Sequence, residues 1–173
     1  FSNYLDSFKN NANIIGQIFG KEAEVSAAIA EYDAAVADLQ GKASGAGKAL
    51  IVLTTGGKIS AYGPGSRFGS IHDIFGFAPV DADIKVDTHG NSISNEYIAE
   101  KNPDVLFVVD RDAVVSGDGA SPAKEVIEND LVKKTNAYKN GKIVYLNPNF
   151  WYLSGGGLNT ELEMVKEAAQ AVQ

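Results

Sequence analysis

Four side chains in this 173-residue sequence combine suitable chemistry with a similar position, shortly after a predicted strand. Arg67 and Arg111 are the two arginines of the chain, against thirteen lysines. Arginine binds anions through a planar fork of N–H groups, whereas lysine is a compact charge that serves general solubility. His89 in "THGNS" and Tyr152 in "PNFWYLSGGG" follow two further predicted strands. Together the four residues predict an anion-binding face.

The elements that must position these residues alternate between strands and helices. Strands are predicted at 49–55, 58–63, 84–87, 104–110 and 142–147, and helices at 66–76, 94–102, 121–129 and 160–172. This alternation predicts an α/β fold, a Rossmann-like three-layer lobe with a mostly parallel central sheet and one short antiparallel element. In such sheets ligands bind beyond the carboxyl ends of the strands, so the four loops are expected to form one concave face.

Local signals predict where the helices begin. Ser94 is expected to cap 94–102, Ser121 to cap 121–129, and Thr160 with Glu163 to form a capping box on the last helix. His72 and Trp151 are expected to have packing roles.

Two helices are predicted before the first strand, at 3–19 and 21–40, with Gly20 and Gly41 as stops. The second is a rod of roughly 30 Å. The small-residue break "GKASGAGK" then divides a helical segment, 1–41, from the α/β lobe, 42–173. Phe1 begins directly in a helical pattern without Met or leader, so we expect a processed or truncated part of a longer protein.

Composition excludes several classes of function. The net charge of −7 and a pI near 4.8 argue against nucleic acid as the main partner. The chain has no cysteine, which excludes disulfides, thiolate metal sites and cysteine nucleophiles. "SGAGKAL" lacks the spacing of a P-loop, and neither G-x-S-x-G nor H-E-x-x-H occurs. No coherent catalytic machinery is present, so the sequence predicts a binding protein and not an enzyme.

Each candidate also has a simpler interpretation. Arg111 can pair with Asp110 or Asp112, and Arg67 can stabilise its own loop. His89 alone is an ordinary loop histidine. The position that the candidates share after predicted strands favours function.

Four blocks, "GGKISAYGPGSRFGSIHDIFG", "IKVDTHGNSIS", "EYIAEKNPDVLFVVDR" and "KIVYLNPNFWYLSGGG", occur in this order. Together they resemble the ferric-siderophore-binding proteins of bacterial ABC importers, the helical-backbone (class III) periplasmic-binding-protein family, and most closely its catecholate branch. That family has two α/β lobes joined by a long helix, with the ligand between the lobes. The resemblance implies that 1–41 contains the inter-lobe helix, that 42–173 is the C-terminal lobe, and that the N-terminal lobe is absent.

The resemblance also implies roles for individual residues. His89 and Tyr152 would ligate the iron of a bound Fe(III)-siderophore, while Arg67 and Arg111 would surround its anionic catecholates. No intrinsic cofactor is expected. The partners would be the ferric siderophore, the protein's own N-terminal lobe and an ABC permease. The location would be extracytoplasmic, either periplasmic or lipid-anchored at the outer face of the membrane. A haem- or corrinoid-binding relative, or a metal-dependent hydrolase using His89, are the alternatives.

Overall fold

Two helices lead into a layered α/β structure in the computed structural model, which describes residues 4–115 and 122–173. The helices are α1 (Tyr4–Phe19), α2 (Glu22–Ala43), α3 (Ser70–Asp73), α4 (Asn95–Lys101), α5 (Asp112–Val115), α6 (Ala123–Ile127), α7 (Asn136–Lys139) and α8 (Leu158–Ala168). The strands are β1 (Lys48–Thr55), β2 (Lys58–Tyr62), β3 (Ala78–Pro79), β4 (Asn91–Ile93), β5 (Val105–Asp110) and β6 (Ile143–Leu146). Two short 3-10 turns, Val132–Lys134 and Ala169–Val172, and one π-helical turn, Asn149–Leu153, are also described.

The strands form one mixed sheet in the order β4-β2-β1-β5-β6, with β3 beside the start of β1. β1, β5 and β6 run parallel, so their carboxyl ends share one edge of the sheet. β2 is antiparallel to β1 and β4 is antiparallel to β2. The prediction of a mostly parallel sheet with a short antiparallel part is confirmed.

Apolar side chains cover both faces of the central strands, which explains their continuous apolar sequences. Ile51 and Phe107 belong to the cluster that includes α2 and α8 residues. Leu50 and Leu106 belong to the opposite cluster, which includes Ile98 of α4 and further apolar side chains of the α6–α7 region. The two clusters fill the two faces of the sheet, so the sheet lies between two layers of helices, as the sequence predicts.

The helical segment before the sheet is close to its prediction. α1 ends at Phe19, where Gly20 adopts a φ of +62°. α2 continues past Gly41 to Ala43, so the prediction that Gly41 ends it is wrong. Gly41 is exposed on this helix, where glycine costs only about 1 kcal/mol relative to alanine.

The predicted strand at 84–87 is wrong, because this segment is irregular. The edge of β2 pairs instead with β4, which places Ile93 opposite Ile59. Ile84 packs against Gly63, whereas Val86 remains 63% exposed. Ile84 and Val86 therefore alternate between a packed and an exposed side chain because their segment crosses the end of β2. The segment does not join the sheet.

The predicted helix at 66–76 is reduced to the single turn α3. Gly65 and Gly76 both adopt a positive φ, which interrupts helical geometry on either side. The inward residues of the prediction are nevertheless confirmed, since Phe68, Ile71 and Phe75 are fully buried.

Helix starts agree with the sequence in part. Ser94 caps α4 by accepting a hydrogen bond from the backbone N–H of Tyr97. Ser121 lies outside the described residues, and Pro122 precedes the first turn of α6. The Thr160 capping box is wrong, because α8 begins at Leu158 and Thr160 lies inside its first turn. No helix within 4–115 and 122–173 has the length and apolar character needed to cross a bilayer.

Candidate functional site

Tyr152 is presented by a widened helical turn that follows β6. The turn, Asn149–Leu153, has π-helical hydrogen bonding, a form that often occurs at functional sites. Trp151 points inward, and its indole Nε1 donates to Glu167 Oε2 over 2.9 Å. The backbone N–H of Asn147 donates to the same oxygen over 3.0 Å. The turn is thereby fixed to α8, and the half-buried side chain of Tyr152 lies at its surface.

Arg111 reaches Tyr152 from the end of β5, at the edge where β1 and β6 also end. Its Nε donates to the Tyr152 hydroxyl over 2.8 Å, and its Nη1 donates to Thr55 Oγ1 over 3.2 Å. Asp112 Oδ1 lies 3.9 Å from Nη1. The simpler interpretation of Arg111 as a partner of Asp112 is therefore confirmed, and its role in anion binding stays a prediction.

Arg67 reaches the same tyrosine by a different route from the one that the strand-end argument assumes. β2 is antiparallel, so its carboxyl end lies at the opposite edge of the sheet. The segment 63–69 turns back over the sheet, where the Phe68 ring meets Tyr62 at 4.7 Å between centroids. Arg67 Nη2 then donates to the Tyr152 carbonyl oxygen. Its guanidinium carbon lies 4.2 Å from the centre of the Tyr152 ring.

The two guanidinium groups change the acidity of the phenol between them. The hydrogen bond from Arg111 is the main cause that lowers the pKa of Tyr152, and the charge of Arg67 acts in the same direction. Partial burial opposes this shift. The arrangement stabilises a phenolate, which is a hard anionic oxygen donor.

His89 lies in an exposed turn. Its backbone N–H donates to Asp87 Oδ1 over 2.8 Å, and none of the described contacts joins its imidazole to Arg67, Arg111 or Tyr152. The neighbouring Gly90 packs on the ring of Tyr62, which itself lies near Arg67. In 4–115 and 122–173, no three histidine or acidic side chains are grouped to hold a metal ion.

His72 has the packing role that the sequence predicts. Its Nδ1 lies 2.8 Å from the carbonyl oxygen of Phe77, inside the turn that follows α3. Burial lowers the pKa of this imidazole.

A cavity of about 660 Å³ opens beside Tyr152, between the start of α1 and the turn after β6. Tyr4, Leu5 and Asp6 form one wall, and Tyr152, Leu153 and Gly155 belong to the other. Arg67 lines the cavity as well. The volume is within the usual range of small-molecule sites, which is about 300–1,000 Å³.

Sequence reasoning did not identify Thr55 and Glu161 as parts of this region. Thr55 ends β1, accepts from Arg111 and donates to Asp112 Oδ1 over 3.0 Å. Its position at the end of a buried strand was the available signal. Glu161 gave no signal, because an acidic residue in the first turn of a helix is ordinarily a solvated charge.

Comparison with known proteins identifies relatives of one kind. A family described as periplasmic binding protein matches residues 1–150. The petrobactin-binding protein YclQ of Bacillus subtilis is 47% identical over 171 residues, which are 98% of this chain and 53% of YclQ. The ferric-anguibactin-binding protein FatB of Vibrio anguillarum is 35% identical over 94% of this chain and 50% of FatB. The chain thus spans about half the length of the curated relatives it matches.

Solved structures give the same relationship. The crystal structure of YclQ superposes with a TM-score of 0.93 over 99% of this chain and 60% of the YclQ chain. The periplasmic catecholate-siderophore binding protein VctP of Vibrio cholerae is 38% identical, with a TM-score of 0.89 over 96% of this chain and 60% of VctP.

Proposed function

Because the chain belongs to the periplasmic binding protein family, we propose that it takes part in binding an iron(III)-catecholate siderophore outside the cytoplasm. The ligand would then be delivered to an ABC permease for iron uptake. The observation that carries this proposal is the pair of guanidinium groups around one acidified phenol. The relatives named for petrobactin and for catecholate siderophores support the same ligand class.

The proposal assigns complementary roles to three residues. A ferric catecholate complex is anionic, whereas the chain carries a net charge of −7, so local cations must supply the attraction. Each guanidinium has five N–H groups, and the described hydrogen bonds use one on Arg67 and two on Arg111. The phenolate of Tyr152 would bind the iron directly, since Fe(III) prefers hard oxygen donors.

We propose that His89 is a second protein group that binds the iron. The bound siderophore would extend across the loops and place its iron within reach of His89. Its exposure leaves the imidazole accessible to a bound complex. A siderophore that leaves two coordination positions open would take Tyr152 at one and His89 at the other.

We also propose that a second lobe completes the cleft. Ile14, Ile15, Ile18 and Phe19 on α1 are 45%, 55%, 69% and 73% exposed, which is unusual for adjacent large apolar side chains. A partner lobe packed on α1 would cover them. In the same proposal, residues 1–41 form the helical segment and residues 42–173 form the C-terminal lobe. The protein would bind its ligand without turnover. Its location would be either periplasmic or lipid-anchored.

The experiment is a fluorescence titration of the intact protein with Fe(III)–petrobactin, using iron-free petrobactin for comparison. Arg67→Gln and Arg111→Gln are each expected to weaken ferric binding by about tenfold or more, because each removes a charge-assisted hydrogen-bond donor. Arg111→Lys tests whether charge alone suffices. Lys133→Gln removes an exposed cation beside the opposite core cluster and serves as the matched control.

Saturable binding of the ferric complex that depends on both arginines supports the proposal. Absence of binding in the wild-type protein, or equal losses in Lys133→Gln, would contradict it. Turnover of an added ester or phosphoester would favour the hydrolase alternative instead.

A further inference from the structure

Glu161 is a fully buried acidic residue in the first turns of α8. Its Oε1 accepts hydrogen bonds from the Tyr4 hydroxyl and, over 2.9 Å, from the backbone N–H of Gly156. Its Oε2 is buried without a hydrogen-bond partner among the described residues. Burial removes the hydration of a carboxyl group and must be compensated by hydrogen bonds, so an apolar residue here would stabilise the fold more simply. The position therefore needs an explanation beyond packing.

One donor, Tyr4, lines the cavity beside Tyr152, and the other, Gly156, directly follows Gly155, which also lines it. Tyr4 is in the first turn of α1, whereas Gly156 lies four residues after Tyr152 in the same segment. Tyr4, Tyr152 and Gly155 all line the cavity. A methyl group placed on Gly155 would lie 3.6 Å from the Tyr4 hydroxyl, so the walls are close where Glu161 joins them. A single oxygen atom thus connects α1 to the Tyr152 segment.

The Tyr4 hydroxyl is a persistent donor in this connection. Burial is the largest cause that raises the pKa of Tyr4, and its hydrogen bond to Glu161 raises it further. Tyr4 therefore stays protonated and remains the donor. Tyr32 of α2, whose buried hydroxyl has no partner among the described residues, lies close enough for the charge of Glu161 to raise its pKa. Glu161 is therefore enclosed by α1, α2 and α8.

We infer that Glu161 is a positioning residue that clamps α1 to the segment carrying Tyr152, and that it thereby sets the width of the cavity between them. The inference rests on the proposed function, because it takes this cavity to receive part of the siderophore. Without the clamp, Gly156 and Tyr4 can separate. Tyr152 then loses its fixed place relative to Arg67, and the cavity discriminates less between ligands of different width.

Three variants separate positioning from simple stability. Glu161→Leu removes the acceptor for both donors, and Tyr4→Phe removes one donor while keeping the ring. Glu161→Gln retains the Oε1 acceptor and is the conservative rescue. Glu163→Gln, on the same helix but exposed and paired with Lys166, is the matched control.

The first measurement is hydrogen exchange of the 153–157 backbone in the ligand-free protein. The second is the affinity for Fe(III)–petrobactin together with the position of its visible charge-transfer band. Glu161→Leu and Tyr4→Phe are expected to weaken affinity about tenfold, the equivalent of one charge-assisted hydrogen bond, and to shift the band. Glu161→Leu is also expected to accelerate exchange. Glu161→Gln and Glu163→Gln are expected to stay within about twofold of wild type in affinity.

A lowered melting temperature with unchanged affinity and band in Glu161→Leu would overturn the inference, since a purely structural residue behaves in that way. If Glu161→Leu does not fold, Tyr4→Phe decides, and a wild-type band and affinity in that variant overturn the inference. If the wild-type protein does not bind Fe(III)–petrobactin, the proposed function fails separately. Hydrogen exchange then tests the positioning role of Glu161 by itself. Faster exchange in Glu161→Leu, restored to the wild-type rate in Glu161→Gln, supports that role. Unchanged exchange in Glu161→Leu overturns it.

Discussion

Arg67 and Arg111 contact different parts of Tyr152, so their loss should have different consequences. Arg111 donates to the phenol oxygen itself, whereas Arg67 donates to the backbone carbonyl and covers the ring. The hydrogen bond from Arg111 is the largest cause that lowers the pKa of Tyr152, and the hydrogen-bond and charge contributions of Arg67 are smaller. The acidity of the phenol therefore depends mainly on Arg111.

Arg111→Gln is expected to raise the pKa of Tyr152 towards the ordinary tyrosine value near 10, because it removes a donor that favours the phenolate. Arg67→Gln is expected to raise this pKa by a smaller amount. Ultraviolet absorbance titration of the ligand-free protein measures the change, with Tyr152→Phe identifying which transition belongs to Tyr152. A Tyr152 transition that is unchanged in Arg111→Gln would contradict this assignment.

At the scale of elements, the loop containing His89 depends on a glycine for its shape. Gly90 has a φ of +73°, and a methyl group there would come within 2.7 Å of the Tyr62 ring and 3.0 Å of the Ala61 carbonyl oxygen. The glycine is thus required by packing against β2 and by the turn itself.

Gly90→Ala should therefore lower the free energy of unfolding more than the same substitution at a glycine that also has a positive φ but no neighbouring atoms. Gly141 provides that control, since its φ is +66° and nothing lies within 4 Å of the added methyl position. Gly141→Ala is expected to cost about 1–2 kcal/mol of unfolding free energy from the backbone alone. Gly90→Ala should add about 1–3 kcal/mol from overpacking. Chemical denaturation measures both, and equal costs would show that Tyr62 yields without strain.

The turn after α3 makes stability depend on pH through His72. Its folded-state pKa is lowered by burial, so the unfolded chain binds the proton more readily. The stability that the neutral imidazole contributes is fully present above the unfolded pKa of about 6.5. It is lost as pH falls from that value through the lower folded pKa.

The melting temperature of wild type should therefore fall more steeply than that of His72→Gln between about pH 7.5 and pH 5. Parallel curves for wild type and His72→Gln would mean that His72 is protonated without cost.

At the scale of the whole molecule, four of the exposed large apolar side chains described lie together on α1. The proposed second lobe would cover Ile18 and Phe19. In the isolated 173-residue chain, an apolar fluorescent dye is expected to bind this surface, and Ile18→Ser with Phe19→Ser should lower the signal. Val86→Ser, which changes another exposed apolar residue, should have less effect. A signal that the α1 variants leave unchanged would place the apolar surface elsewhere.

The sequence predicted the layers of this molecule better than its connections. Continuous apolar runs identified β1 and β5 because both faces of these strands are covered. The segment 84–87 was misjudged because its alternation arises from crossing over Gly63, a contact between residues about twenty positions apart. Glycines at 65 and 76 shortened a predicted helix, since positive φ values cannot be read from apolar spacing.

The sequence predicts Arg67, Arg111 and Tyr152 in one site because each follows a predicted strand. That reason is correct for only two of the three. Arg111 and Tyr152 follow parallel strands, as the argument requires. Arg67 follows an antiparallel strand and reaches the phenol because its loop folds back. The role of Glu161 depends on Tyr4, which is 157 positions away in the sequence, and no local pattern indicates such a contact.

The central claim is that Tyr152, held by two arginines, binds the iron of a ferric siderophore. Its most direct test is the visible charge-transfer spectrum of the intact protein with Fe(III)–petrobactin, compared between wild type and Tyr152→Phe. A phenolate bound to iron contributes its own band, so the account predicts that the phenylalanine variant shifts the spectrum and weakens binding about tenfold or more. An identical spectrum and an identical affinity in the two proteins would contradict it.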